Sequence, residues 1–355
     1  MLSLLLACTP PADTGALEPS TDVRVDGDVD PEGQGAIAVP IMGGPDGSGH
    51  SVMVMNLAGE VQWEAELDPD LGLPLQARWA EDGESVWVWQ QIGGTSALDA
   101  GFNLSLIDPS GAEVTRALGW GHTSFQMLPG EQSFLALLKT VEVIDGVDYL
   151  IDRVVEHELS GASQEVWSVA EELNPLDFHR PAAADAEPGQ PVDWFHTNFI
   201  YQAPGDSIYL SLGEVDTLLR VDVDEGLIQG AGSQRVFVDF EGDPPADQPH
   251  SIVPLASGNW LVFNRGIPSV TDTCSHVAEL HIDPELGTVE RAWSWTPDDC
   301  VKTIFLGAAL PLAGDRVLVD FASAGRLSVV NREGEEEVRI DLKLGNAFGQ
   351  ADWRP

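Results

Sequence analysis

The stretch VMVMNLAGEVQWEAEL at residues 52–67 carries a pattern that recurs along the whole chain. An alternating strand ends in an acidic residue or Asn, a glycine follows in the turn, and a Val-rich strand returns. Glycine tolerates the positive φ of tight turns, so each copy predicts an antiparallel hairpin. The five further copies are LSLIDPSGAEVTRAL (104–118), VVEHELSGASQEVWSV (154–169), LLRVDVDEGLIQGAG (218–232), AELHIDPELGTVERAWSW (278–295) and LSVVNREGEEEVRIDL (327–342).

A second hairpin signature lies between most of these copies. It reads ARWAEDGESVWVW, HTSFQMLPGEQSFLAL, HTNFIYQAPGDSIYLS, HSIVPLASGNWLVF and GAALPLAGDRVLVD. Two hairpins make four strands, and four-stranded units repeating at this spacing are typical of propeller blades. The sequence therefore predicts an all-β fold, a six-bladed β-propeller of four-stranded antiparallel blades over residues 35–355. A β-helix is the structural alternative, but it would have shorter repeats. We expect the C-terminal FGQADWRP to close the ring against the first blade near residues 36–42.

The chain is strongly acidic, with 58 acidic against 17 basic residues and a formal net charge of −41. Such a surface repels nucleic acids and anionic lipid head groups, which excludes nucleic-acid partners. We interpret the charge chiefly as a means of keeping the protein solvated, and we expect a monomer.

The N-terminal segment predicts export and anchoring. Residues 1–8 read MLSLLLAC, and the end of this apolar run, Leu5-Leu6-Ala7-Cys8, is similar to a bacterial lipobox. That similarity implies cleavage before Cys8 and acylation of its sulfur. Residues 9–34 are rich in Pro, Gly, Asp and Thr, which predicts a flexible, disordered tether between anchor and domain. We therefore expect an exported bacterial lipoprotein, periplasmic or anchored at the outer membrane or cell surface, which meets the membrane only through its lipid.

Two further cysteines, Cys274 and Cys300, lie in the second half of the chain. An exported protein enters an oxidising compartment, so we predict a disulfide between them, with two free thiols as the alternative.

Three of the eight histidines occupy one place in the repeat. His122, His196 and His250 each begin or nearly begin the second type of hairpin, eight or nine residues before its turn glycine. Equivalent positions in successive blades have equivalent radius and height, so we expect the three imidazoles to converge on one ring facing the central channel. Such a ring could bind a metal, bind an anion, or provide a nucleophile whose neighbours stabilise developing charge.

Three segments in order resemble the bacterial arylsulfotransferase family. DWFHTN at 193–198, followed by GDSIYLS at 205–211, is similar to its D-W-x-H-x-N-S motif and the strand after it. QPH at 248–250 with GNWLVFN at 258–264 is similar to its Q-H-D … G-N-x-L-x-F-D-N-G segment, and 277–295 is similar to its next hairpin. The resemblance implies a six-bladed propeller that moves a sulfuryl group from a phenolic sulfate ester to another phenol, without a nucleotide sulfate donor.

The resemblance also implies roles for particular residues. His250 would be the nucleophile that is transiently sulfated, and His122, His196 and Asn198 would hold the sulfuryl and phenolic oxygens. Where the family has an Arg, this sequence has Glu214, and Arg265 is the candidate to restore the positive charge from a neighbouring blade.

Three functions remain open from the sequence. The first is sulfuryl transfer through His250, with an aryl sulfate and a phenol as substrates and no cofactor. The second is a non-catalytic propeller lipoprotein that binds another ligand or a protein partner. The third is a metal site built from His122, His196 and His250.

Overall fold

Almost every ordered element of the chain is a β-strand, as the repeat predicts. The structure is a computed structural model that describes residues 23–27, 35–43, 49–93, 101–111, 113–120, 122, 124–177, 190–205, 207–223, 225–232, 246–266, 273–283, 285–342 and 347–355, with backbone only over 113–120 and 227–228. One short helix, α1 (Val169–Glu172), directly follows strand β12.

The strands in chain order are β1 (Val23–Asp26), β2 (Ala36–Ile41), β3 (Ser51–Asn56), β4 (Val61–Glu66), β5 (Leu73–Trp79), β6 (Val86–Ile92), β7 (Gly101–Ile107), β8 (Glu113–Trp120), β9 (Phe125–Met127), β10 (Ser133–Ile144), β11 (Val147–Glu158), β12 (Ser163–Ser168), β13 (Val192–Asp193), β14 (Thr197–Gln202), β15 (Ser207–Leu212), β16 (Thr217–Asp222), β17 (Gly226–Gly232), β18 (Pro249–Pro254), β19 (Trp260–Asn264), β20 (His276–Asp283), β21 (Thr288–Trp295), β22 (Ala308–Leu312), β23 (Arg316–Phe321), β24 (Arg326–Val330), β25 (Glu336–Leu342) and β26 (Asp352–Arg354). Short 3-10 turns cover Pro69–Leu71, Pro175–Asp177 and Ala322–Ala324.

These strands form six antiparallel sheets arranged in a ring, and each sheet is one blade. Blade 1 has the order β26-β2-β3-β4, blade 2 is β5–β8, blade 3 is β9–β12, and blades 4, 5 and 6 are β14–β17, β18–β21 and β22–β25. The innermost strands β26, β5, β9, β14, β18 and β22 each contact the next around a full circle. The prediction of a six-bladed propeller is confirmed.

The ring closes through the C-terminus, as expected. β26 pairs antiparallel with β2, with Ile37 opposite Trp353, and a further bridge joins Ile41 to Phe348. Blade 1 therefore takes its innermost strand from the end of the chain. This explains why the sequence shows no copy of the second hairpin signature for blade 1.

The expectation of a disordered linker over 9–34 is wrong for one part of it. Residues Val23–Asp26 form β1, which pairs antiparallel with β25 and adds a fifth strand to blade 6. Val25 of this strand also lies against the turn of blade 1, where a Cβ on Gly59 would come within 2.3 Å of its Cγ2. β1 thus bridges blades 6 and 1 a second time. Cys8 and the rest of the N-terminal segment lie outside the described residues.

Apolar side chains fill the spaces between blades. Between blades 2 and 3, for example, the Trp89 ring stacks on Phe125 with centroids 5.4 Å apart. Burial of such rings is the main source of stability for a ring of sheets.

Buried polar side chains also connect neighbouring blades at the starts of the innermost strands. Oε1 of Gln76 accepts a hydrogen bond from the backbone N–H of Phe125 at 2.8 Å, and Oγ of Ser124 accepts one from that of Ile200 at 3.3 Å. Nδ2 of Asn198 donates to the carbonyl of Pro249 at 3.1 Å. Oγ of Ser251 accepts from the backbone N–H of Ala309 at 3.1 Å, and Nε2 of Gln350 donates to the carbonyl of Gly307 at 3.2 Å. The backbone N–H of Gln350 donates to Leu75 O at 2.7 Å and completes the circle between blades 1 and 2. These bonds hold the innermost strands in register at the end of the channel where the three histidines lie.

Candidate functional site

The three histidines lie at the same end of neighbouring innermost strands. His122 comes shortly before β9, His196 directly before β14, and His250 is the second residue of β18. They belong to blades 3, 4 and 5, so the repeat places them side by side around the channel.

His122 and His196 are in direct contact. Their ring centroids are 4.9 Å apart and the rings are nearly perpendicular. The indole Nε1 of Trp89, from blade 2, donates to the carbonyl of His122 at 2.8 Å and fixes that backbone. Burial, together with the charges of Lys139 and His196, holds the pKa of His122 well below its usual value. Burial and these charges therefore favour the neutral form of the His122 ring.

His196 is held by a carboxylate. Its Nδ1 lies 2.5 Å from Oδ2 of Asp193, and the same oxygen accepts a hydrogen bond from Nζ of Lys139 at 2.6 Å. The backbone of His196 has φ 51°, in the left-handed region that non-glycine residues rarely adopt, so the turn before β14 is constrained. Asp193 comes from β13, which pairs parallel with β11 beside Leu150.

His250 is held by an amide instead. Its Nδ1 lies 3.1 Å from Nε2 of Gln350, which also donates to the carbonyl of His250 at 3.3 Å. Burial and the nearby charges of Arg265 and His196 hold the pKa of His250 well below its usual value. A neutral imidazole has a lone pair on one ring nitrogen, which a nucleophile requires.

Asn198 lies between the histidines of blades 4 and 5. Its side-chain amide donates to the carbonyl of Pro249, the residue before His250. The backbone of Gly213 approaches closely, because a Cβ there would lie only 2.2 Å from Nδ2 of Asn198. The structure thus gives Asn198 a role in joining the two blades next to the site.

Arg265 lies beside His250, on the side of blade 6. Its guanidinium donates to the carbonyl of Ile304 at 2.8 Å and to Oε1 of Gln248. Burial lowers the pKa of Arg265, and carboxylates around it, Glu214 foremost, act in the opposite sense. Glu214 and Arg265 therefore interact electrostatically, which brings a cation near the position where the sequence has lost one.

Three residues of the site escaped the sequence analysis as functional candidates: Lys139, Asp193 and Gln350. Asp193 is part of the DWFHTN motif, but its contact with His196 could not be read from the motif. Lys139 is the one basic residue of strand β10, and its side chain is fully buried. A signal did exist, because counting back from the Asp145-Gly146 turn places Lys139 directly opposite Asp152 in the hairpin of β10 and β11.

Cys274 and Cys300 form a disulfide that ties the segment before β20 to the segment after β21, with their Cα atoms 5.0 Å apart. No group of three His, Cys, Asp or Glu residues in the described part of the chain is arranged to hold a metal ion. Across the same residues, no helix has the length and apolar character needed to cross a membrane.

Comparison with known proteins gives one family and a common fold. The model of the family described as "Arylsulfotransferase (ASST)" matches residues 47–235. No curated protein matches the chain significantly. Among solved structures, a Bacteroides caccae protein of unknown function is 12% identical, with a TM-score of 0.54 over 89% of this chain and 97% of that one. The periplasmic gluconolactonase of Pseudomonas aeruginosa is 15% identical, with a TM-score of 0.50 over 90% and 99%. At these identities the likenesses show the fold alone.

Proposed function

Because the chain belongs to the arylsulfotransferase (ASST) family, we propose that it transfers a sulfuryl group from a phenolic sulfate ester to a second phenol through His250. The observation that carries this proposal is the buried imidazole of His250, whose surroundings favour its neutral form and which lies on the blade next to the paired rings of His122 and His196. The reaction needs no cofactor and no nucleotide sulfate donor, since the aryl ester itself supplies the sulfuryl group.

The reaction has two half-reactions. In the first, a ring nitrogen of His250 attacks sulfur, an N–S bond forms, the S–O bond to the donor breaks, and the phenolate leaves and takes up a proton. In the second, the acceptor phenol gives up its proton, its oxygen attacks the sulfur of the sulfohistidine, and His250 is restored. This is covalent catalysis that divides one difficult transfer into two easier ones.

The remaining residues of the site stabilise charge in this proposal. His122, His196 and Asn198 hold the sulfuryl and phenolic oxygens, and the cation of Arg265 offsets negative charge that develops beside His250. Donors that are already in place when charge develops in a buried site contribute strongly to the rate. The neutral state of His122 suits a hydrogen-bonding role better than that of a second fixed cation.

The test is turnover of a fluorogenic aryl sulfate with and without a phenol acceptor. Repeated turnover should require the acceptor, whereas donor alone should release no more fluorescent phenol than there is protein and should leave a sulfuryl adduct on the peptide that contains His250. His250→Ala should abolish both. The matched control is His281→Ala, because His281 is exposed and bonds only Asn259 in the described residues. Turnover that survives in His250→Ala would refute the nucleophile.

A second candidate is ligand binding without turnover. Glu214 stands where the family has an Arg, and the Nδ2 of Asn198 is already bonded to Pro249. Saturable binding of aryl sulfates, weakened in His250→Ala, with no product across several donors and acceptors, would favour this function over transfer.

We also propose that the protein is exported and anchored through Cys8 as a periplasmic or surface lipoprotein, and that it acts as a monomer. The Cys274–Cys300 disulfide supports export, because such bonds persist in oxidising compartments. Incorporation of labelled fatty acid in the native host should be lost in Cys8→Ser, and equal labelling of that variant would refute the anchor.

A further inference from the structure

Lys139 is a buried cation in contact with the histidine site. Its Nζ lies 2.6 Å from Oδ2 of Asp193, 3.3 Å from Nδ1 of His196 and 3.9 Å from Oδ1 of Asp152. Its side chain is fully buried, so it cannot reach a ligand in the channel directly. Any effect of Lys139 on chemistry must therefore pass through these neighbours.

The contacts decide which nitrogen of His196 is available. Lys139 keeps Asp193 ionised: burial alone would raise the pKa of Asp193, but the charges of Lys139 and His196 outweigh burial and hold it well below its usual value. An ionised Oδ2 at 2.5 Å accepts a hydrogen bond from the N–H at Nδ1. The proton therefore stays on Nδ1, and in the neutral ring Nε2 is the nitrogen with a lone pair. A carboxylate that orients a catalytic imidazole in this way fixes both tautomer and ring rotation.

The stability of this part of the fold does not by itself require a charged ammonium at position 139. A hydrophobic residue in place of a buried ion pair often leaves stability unchanged. Yet Lys139 shares one carboxylate oxygen with His196, and its cross-strand partner Asp152 accepts the backbone N–H of Thr197, the residue after His196. One contact therefore acts on the side-chain partner of the His196 ring, and the other acts on the backbone next to His196.

We propose that Lys139 is a positioning residue of the histidine site, which acts through Asp193 to fix the His196 ring with its proton on Nδ1 and its lone pair on Nε2. The inference rests on the proposed function for its catalytic meaning, but the state of the ring can be measured without turnover. The charged and titratable groups that face His196 are Lys139 from β10, Asp152 from β11, Asp193 from β13, His122 before β9 and His250 from β18.

The experiment is long-range proton–nitrogen NMR of protein labelled with 15N-histidine, with His196 assigned by comparison with His196→Ala. In the wild type we expect the pattern of a single tautomer, with the proton on Nδ1, the ring nitrogen that faces Asp193. In Lys139→Met the carboxylate of Asp193 loses its ion pair with Nζ, so the ring should no longer be held in one tautomer, and signals of the Nε2-protonated tautomer should appear. If turnover occurs, kcat should fall about tenfold with little change in KM, because the ring of His196 is no longer held in place for proton transfer.

Two further variants keep the test decisive. Lys302→Met makes the same change in the loop after β21 and should match the wild type in every measurement. If Lys139→Met does not fold, the double variant Lys139→Met/Asp193→Asn removes both charges of the pair, and the Nδ1-protonated pattern should no longer dominate. A wild-type His196 pattern in Lys139→Met, or in the double variant if Lys139→Met does not fold, would overturn the proposal. Absence of turnover in the wild type would instead count against the proposed function alone.

Discussion

His196 and His250 lie at equivalent places in neighbouring blades, yet their surroundings differ in charge. His196 has a carboxylate on Nδ1 at 2.5 Å, and His250 has an amide on Nδ1 at 3.1 Å. Neither partner belongs to the repeat. Asp193 lies on β13, a strand added to blade 3, and Gln350 lies in the segment that closes the ring. The repeat thus determines where the imidazoles lie, while residues outside it determine what each imidazole can do.

The difference suits two tasks in one reaction. A nucleophile must stay neutral, and the neighbours of His250 favour its neutral form. A group that takes the proton of the acceptor phenol benefits from a carboxylate that stabilises the charged form it then adopts. Under the proposed function we therefore expect His250 to attack sulfur and His196 to move the proton.

Asp193→Asn removes this difference and should have the largest effect. Both histidines would then have amide neighbours, and the ammonium of Lys139, 3.3 Å from Nδ1, would oppose any proton gained by His196. We expect the transfer rate to fall about 10²-fold, the order that general acid–base catalysis contributes. Initial rates with the fluorogenic donor measure the effect, and circular dichroism checks the fold.

Asp315→Asn is the matched control, because the Asp315 side chain is 80% exposed and pairs with Arg332 far from the histidines. If Asp193→Asn transfers within twofold of this control, the two histidines do not differ in the way that we propose.

The blades were predictable because their signals are local. Each hairpin has a turn glycine and alternating strands within about fifteen residues, and pairing follows from the turn. β1 was missed because its strand, VRVD, offers only Val23 and Val25 to bury, and its partner β25 lies at the other end of the chain.

Arg265→Gln should have a smaller effect, confined to His250. Arg265 holds the pKa of His250 down, so its removal should raise that pKa, and the nearby carboxylates would reinforce the change. Because the neutral form attacks, the acid limb of the pH–rate profile should move to higher pH. A shift of one unit lowers the rate about tenfold below the pKa.

Two further variants test whether the positive charge of Arg265 causes the effect on His250. Arg265→Lys keeps the positive charge and should retain most of the shift, whereas Arg220→Gln loses the same charge at a residue that bonds Ser207 and should change nothing. A pH–rate profile of Arg265→Gln that overlays the wild type would show that Arg265 does not act on His250.

The site was only partly predictable, for a physical reason. The three histidines followed from their equal places in the repeat, which local sequence reveals. Lys139 lies 57 residues from His196 and on the neighbouring blade, and Gln350 lies 100 residues from His250 in the segment that closes the ring, so local sequence reveals neither contact. In the sequence, Glu214 stands where the family has an Arg, which indicates the loss of a positive charge. Only the folded chain brings Arg265 near Glu214.

Gly213→Ala should have the smallest effect, and it tests the contact between the two histidine-bearing blades. A Cβ at Gly213 would lie 2.2 Å from Nδ2 of Asn198, so the amide must leave the carbonyl of Pro249 or the strand must shift. We expect the free energy of unfolding in urea to fall by about 1–3 kcal/mol, as for other overpacked sites. The transfer rate should fall only a few-fold, because Asn198 moves while both imidazoles keep their own partners.

Gly93→Ala is the matched control, because a Cβ on Gly93 would meet nothing within 4 Å and its backbone is outside the positive-φ region. Equal unfolding midpoints for the two alanine variants would mean that Asn198 can move without cost. In that case the bond between blades 4 and 5 is not needed for stability, and Asn198 can turn its amide toward a sulfuryl oxygen, as the family resemblance implies. A lower midpoint for Gly213→Ala alone would tie Asn198 to the framework that keeps His196 and His250 in their separate environments.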